Sequence, residues 1–96
     1  MAGIVIKRLS EQEKKEMNIP ERPAGSGSWS VWECEPSVFN WHYDDEEHAF
    51  VYQGKVKVKT QSEEVEIKAG DYVIFPKDLN CTWTVQEKIK KVYKFV

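Results

Sequence analysis

Cysteine is scarce in this chain: Cys34 and Cys81 are the only two in 96 residues. Two are too few to staple a small secreted scaffold, so the expected setting is reducing and cytoplasmic, with both thiols unpaired. Histidine is equally scarce. With only His42 and His48, no Ser/His/Asp set can be assembled, and no Gly-rich phosphate loop precedes a helix. No apolar run approaches the roughly 20 residues that cross a bilayer. Met1 to Ser10 has neither the apolar core nor the small-residue cleavage site of a secretory leader. Neither sign of charge prevails: 14 Lys and Arg against 16 Asp and Glu leave a formal charge of −2. That removes the electrostatic footprint of a nucleic-acid binder. The chain also lacks internal repeats and low-complexity tracts. What remains is a single domain, 41% hydrophobic and 31% charged, which fits a folded soluble protein. Four Trp, four Tyr and four Phe supply the large buried areas that so short a chain needs for a core.

Ile4-Val5-Ile6 reads as a short strand. Ser10 stands three residues before Glu13, the spacing of a capping box, and predicts a short solvated helix from Ser10 to Met17. Asn18, Pro20 and Pro23 stop it, and Gly25 to Ser28 is a connector. From Trp29 the period becomes two. Strands are predicted at Trp29 to Glu35, Val38 to Tyr43, Glu47 to Gln53, Lys55 to Lys59, Glu64 to Lys68, Tyr72 to Phe75, Thr82 to Gln86 and Ile89 to Phe95. The breaks fall at Pro36, the acidic run Asp44-Asp45-Glu46, Gly54, Thr60 to Glu63, Gly70-Asp71 and Pro76 to Asn80. Lys55, Lys57 and Lys59 alternate with Val56 and Val58, so lysine faces out and also blunts an exposed edge. Short strands at this spacing indicate an all-β sandwich or small barrel.

Phe39 to Val85 resembles the cupin superfamily. The family's first motif ends in Glu, six residues, then Gly, and Glu47 and Gly54 have that spacing. The family places two His two apart upstream of that Glu. The second lies four or five positions before it, and His42 and Asn40 fall at these sites with the five-position spacing. In the second motif Gly70 and Pro76 fit, while Asp78 stands for the second Gly, Cys81 for the His and Val85 for the final Asn. Trp41, Tyr43, Gly70-Asp71, Phe75-Pro76-Lys77 and Cys81-Thr82-Trp83 are similar to the branch containing ureidoglycine aminohydrolase cupin domains. Those enzymes have two cupin modules, and this chain has one. The resemblance implies an RmlC-like double-stranded β-helix, a small jelly-roll barrel with a short N-terminal helix, that takes a small polar metabolite inside.

A metal-binding cupin presents three His and one Glu to Mn, Fe, Ni or Zn. Here the matching positions offer His42, Glu47 and Cys81, with Asn40 beside them to orient a ligand and Tyr52 and Trp83 as apolar walls. One imidazole, one carboxylate and one thiolate suit a zinc, iron or manganese ion, and Zn²⁺ or Fe²⁺ better than Mg²⁺ or Ca²⁺. A three-ligand set keeps a coordination position open. Each residue has a second reading. His42 is a ligand or a packed strand residue, because a one-residue slip turns Trp41 and Tyr43 inward and His42 to solvent. Glu47 is a pocket carboxylate or a turn-flanking charge; inside, it needs a metal or a hydrogen-bonding partner. Cys81 is a ligand or a small buried hydrophobe. His48 follows Glu47 and faces the other way. The alternative to a metal-assisted cupin is a metal-free one that binds a ligand or serves as a dimeric interaction module. A homodimer is expected, since a small β domain gains by burying an edge and exposed aromatics.

Overall fold

The computed structural model describes residues 3–96, and its regular structure is all strand except for one short helix. In chain order the elements are β1 (Val5–Arg8), α1 (Glu11–Glu16), β2 (Ser30–Cys34), β3 (Ser37–His42), β4 (Glu47–Lys59), β5 (Glu64–Lys68), β6 (Asp71–Phe75) and β7 (Asn80–Phe95). The capping box forms as expected. The Glu13 amide donates to Ser10 Oγ at 3.1 Å, and the Ser10 amide donates to Glu13 Oε1 at 2.9 Å. Two of the four orphan amides at the helix start are thereby satisfied.

Every strand pairing is antiparallel. The two long strands, β4 and β7, run beside each other and each serves two half-sheets. One half has the order β1-β6-β4-β7-β2, using the start of β4 and the end of β7. In the other half, β5 pairs the end of β4 and β3 pairs the start of β7. The fold is the mostly-β jelly roll expected, but its hydrogen-bonded ladder is open and leaves edges at β1 and β2 instead of closing on itself.

Two predicted breaks are absent. Glu47 to Gln53 and Lys55 to Lys59 are one strand, β4, and the two predicted C-terminal strands are one strand, β7. The register along the β4–β7 ladder shifts between Val51 and Val56. Gly54 sits there with φ of +100°, a conformation that costs glycine little. A side chain at this position would meet the Lys88 carbonyl. Glycine therefore bends the strand without ending it. The extra residue also flips the pleat, so Ala49 and Val51 before it, and Val56 and Val58 after it, all enter the core.

The main core lies between the half-sheets, among Tyr43, Val58, Ile67, Val73, Phe75 and Trp83. A second, smaller cluster lies on the outer face, where Phe50, Tyr72 and Val92 are covered by Ile19 and Trp29 from the N-terminal segment. The Trp29 indole N–H donates to the Met17 carbonyl at 3.3 Å and fastens that cover. Among the described residues no helix is long and apolar enough to cross a membrane.

Candidate functional site

A cavity of about 200 Å³ opens at one end of the main core. Its lining comes from four strands and the turn before β4: Trp32 of β2, Phe39 and Trp41 of β3, Tyr43, Glu47 of β4, and Trp83, Lys91, Tyr93 and Phe95 of β7. Strand parity explains the membership. Phe39 lies opposite Trp83 and Trp41 opposite Cys81, and directly paired residues share a face. Aromatic contacts hold the wall: Phe39 stacks on Trp83 at 6.0 Å, Trp32 meets Trp83 edge-on at 5.8 Å, and Tyr43 stacks on Phe75 at 4.7 Å. Trp41 and Phe95 stand at the mouth, 53% and 57% exposed.

The polar part of the cavity is an ion pair. Lys91 Nζ donates to Glu47 Oε2 at 2.7 Å, and each residue is only 5% exposed. Around the ammonium stand four rings, Trp83 at 5.0 Å, Trp32 at 5.1 Å, Tyr93 at 5.5 Å and Phe75 at 5.7 Å. Ring faces attract a cation, so the box offsets part of the cost of removing this charge from water. Glu47 thus has the partner that an inward carboxylate requires, and the partner is a lysine. Among the described residues nothing donates to Glu47 Oε1; the buried Trp83 indole N–H makes no hydrogen bond of good geometry and is turned toward the Tyr43 hydroxyl and the Cys81 thiol. Burial, with the Glu47 charge added, holds the Tyr43 phenol well above its usual range. Burial likewise pushes the Cys81 thiol up to about 11, so Cys81 is a neutral thiol near neutrality and not a thiolate.

The four expected residues do not all converge. Glu47 lines the aromatic cavity, whereas Asn40, His42 and Cys81 line a second, open hollow with Lys59, Thr60 and Asn80. Asn40 and His42 lie opposite Thr82 and Asn80, on the outer face of β3. There Thr82 Oγ1 donates to Asn40 Oδ1 at 2.9 Å, and His42 Nδ1 meets Asn80 Oδ1 at 2.7 Å. His42 Nε2 lies 3.6 Å from Asp44 Oδ1 and 4.0 Å from Asp78 Oδ1. The physical reason is the non-strand stretch between His42 and Glu47, because parity counted along the chain is not carried through a turn. The aromatic stripe Phe39, Trp41, Tyr43 took the inner face instead. Cys81 is buried in the core with its Sγ 3.7 Å from the Trp41 carbonyl. Tyr52 is not a wall of the cavity: it belongs to the outer cluster, where its hydroxyl donates to the Pro20 carbonyl. Trp83 is a wall, as expected.

The expected ligands do not form one coordination set: His42 lies on the outer face of β3, and the Glu47 carboxylate is paired with Lys91. Among the described residues no group of three His, Cys, Asp or Glu side chains is placed to hold a metal ion. Lys91 was missed by sequence reasoning. Its signal was present, since Ile89, Lys91 and Tyr93 share one face of β7 and a lysine in that phase points into the core.

The comparisons with known proteins agree with this architecture. A DUF861-family protein from Thermotoga maritima has the same fold with a TM-score of 0.88 and 34% identity, covering 98% of this chain and 100% of its own. The EutQ protein of Clostridium difficile matches with a TM-score of 0.62 and 16% identity, over 94% of this chain and 64% of that one. A cupin superfamily protein from Desulfitobacterium hafniense gives 0.57 and 9%, over 98% and 78%. At such low identity the last two speak for the fold alone. No curated protein matches the sequence. The family model of the EutQ-like cupin domain matches residues 21–93, well over half the chain and all of the cavity lining except Phe95. The chain therefore belongs to the EutQ-like cupin family.

Proposed function

We propose that this cupin is a metal-free binding protein that receives a small organic molecule in the aromatic cavity. The observation that carries the reading is the Glu47–Lys91 pair, which sits in the cavity lining with unused hydrogen-bonding capacity. A pair serving packing alone is costly against an apolar filling, whereas few, fixed polar groups in an apolar concavity are what a ligand site needs. Trp41 and Phe95, exposed at the mouth, offer the apolar surface that a ligand would cover. The reading is of binding and does not extend to the ureidoglycine aminohydrolase reaction. A fragment screen by ligand-observed NMR, with hits mapped on the tryptophan indole resonances, tests it. Hits should perturb Trp32, Trp41 and Trp83 and spare Trp29, which lies in the outer cluster. Hits that map instead to the Asn40–His42 face, or an empty screen, would overturn it.

The homodimer is a further proposal, supported by the open edges at β1 and β2 and by exposed Val5, Ile6 and Val31 on them. Sedimentation at micromolar concentration reads it directly, and a monomer alone would refute it.

A further inference from the structure

The charges that face the cavity sum to zero. Lys91 contributes one positive charge and Glu47 one negative, 2.7 Å apart. Their hydrogen-bonding capacity is not exhausted: an ammonium has three donors, and Glu47 takes one. Glu47 Oε1 accepts nothing among the described residues. The indole N–H of Trp83, a residue only 3% exposed, is turned toward the Tyr43 hydroxyl and the Cys81 thiol, so the Glu47–Lys91 pair alone supplies the polar groups. The inner end of the cavity thus holds acceptor and donor side by side, in a box of rings.

A ligand anion would gain from Lys91 but meet Glu47 within the same few ångströms, and a ligand cation would meet the reverse. Like charges brought together in a water-poor site cost several kcal/mol. A neutral head that both donates and accepts satisfies both partners without that penalty. The volume, about 200 Å³, lies under the lower end, about 300 Å³, of pockets for drug-sized ligands. A body of one ring is the size that remains.

Resting on the ligand-binding reading above, we infer that the cavity selects a neutral, flat, one-ring molecule with a primary-amide head. The carbonyl oxygen accepts from Lys91, the amide N–H donates to Glu47 Oε1, and the ring stacks against Trp32, Phe39 and Trp83. A site built to hydrogen-bond a group rejects the analogue that lacks it, because its buried partners are left unpaired.

Four probes share the ring and differ in the head: benzamide, benzoate, benzylammonium and toluene. Each is titrated into the purified protein at neutral pH, following the Trp83 indole N–H cross-peak in ¹H–¹⁵N spectra. The expected result is benzamide at least tenfold tighter than each of the other three. A smaller preference, or any other probe binding as tightly, overturns the amide inference while the cavity reading survives. If none of the four moves the Trp83 cross-peak at millimolar concentration, cavity and inference fall together. The double variant Glu47→Gln/Lys91→Met removes both charges at similar volume, and there the preference for benzamide over toluene should fall below threefold. An undiminished preference in the folded double variant also overturns the inference. If that variant does not fold, the four-probe series on the wild-type protein decides alone.

Discussion

Two neighbouring residues of β4 face opposite sides of the sheet and meet opposite fates. Glu47 turns inward to Lys91. His48 turns outward, where its ring joins Glu46 Oε2 at 2.7 Å to the Tyr72 hydroxyl at 2.6 Å. The outer chain uses both ring nitrogens and lies outside the aromatic cavity. It ties the turn before β4 to β6 and is complete in itself. The inner pair is the more deeply buried, yet it leaves a carboxylate oxygen without a partner among the described residues. Polar groups that only hold structure tend to satisfy one another. Unused capacity in a concave, apolar setting is the better indicator of a binding site.

The comparison can be broken first at Lys91. Lys91→Met leaves Glu47 buried without a counter-charge and should cost about 3–5 kcal/mol, as breaking a buried pair does. Urea unfolding measures it, and the double variant with Glu47→Gln should recover much of the loss. A single-variant cost under about 1 kcal/mol would mean the pair is solvated in solution.

Cutting the outer chain should do less. Tyr72→Phe removes one hydrogen bond from a half-buried histidine and should cost about 0.5–1.5 kcal/mol, with ligand binding in the cavity unchanged. A loss of binding in that variant would show that the two faces are coupled.

Alkaline pH sharpens the contrast in a different way. The Cys81 thiol is raised to about 11 by burial, above its unfolded value of about 8.5. Between those values the unfolded state has lost the proton and the folded state keeps it, so stability falls as pH rises from about 8.5 to 11. Tyr43, also raised by burial, acts in the same direction further up. Cys81→Ala should flatten the lower part of that decline in urea midpoints, and an unchanged slope would refute the assignment.

The smallest effect belongs to His42. It is exposed on the outer face of β3, so His42→Ala should change stability by no more than about 0.5 kcal/mol and leave metal content and cavity binding as they were. A stoichiometric metal lost on that replacement would restore the ligand role that its placement argues against.

Much of the fold was legible in the residues. The capping box at Ser10, the strict alternation at Glu64 to Lys68 and the two-residue period from Trp29 onward are local signals, and the strands and helix formed where they said. Glycine commonly punctuates strands, so Gly54 predicts a strand end; in place it is a bulge, since β7 pairs with both sides of it. The site was legible only in part. Glu47 and Trp83 were found because a motif spacing and a shared strand face pointed inward together. Asn40 and His42 were misplaced by a parity counted across the turn at residues 43–46.

The sequence by itself determined where the chain is extended, where it turns and which residues alternate, because those depend on a few neighbours. It also determined that Phe39, Trp41 and Tyr43 share one face, whichever face that is. Only the tertiary structure decided which side of the sheet is inside. That choice is made by pairing with β7, which sets Trp41 opposite Cys81 and His42 opposite Asn80. Nor could the residues alone join Glu47 to Lys91, 44 positions apart. Their meeting depends on two long strands lying side by side, and on a low-dielectric box of rings in which the two charges, once buried, attract each other strongly.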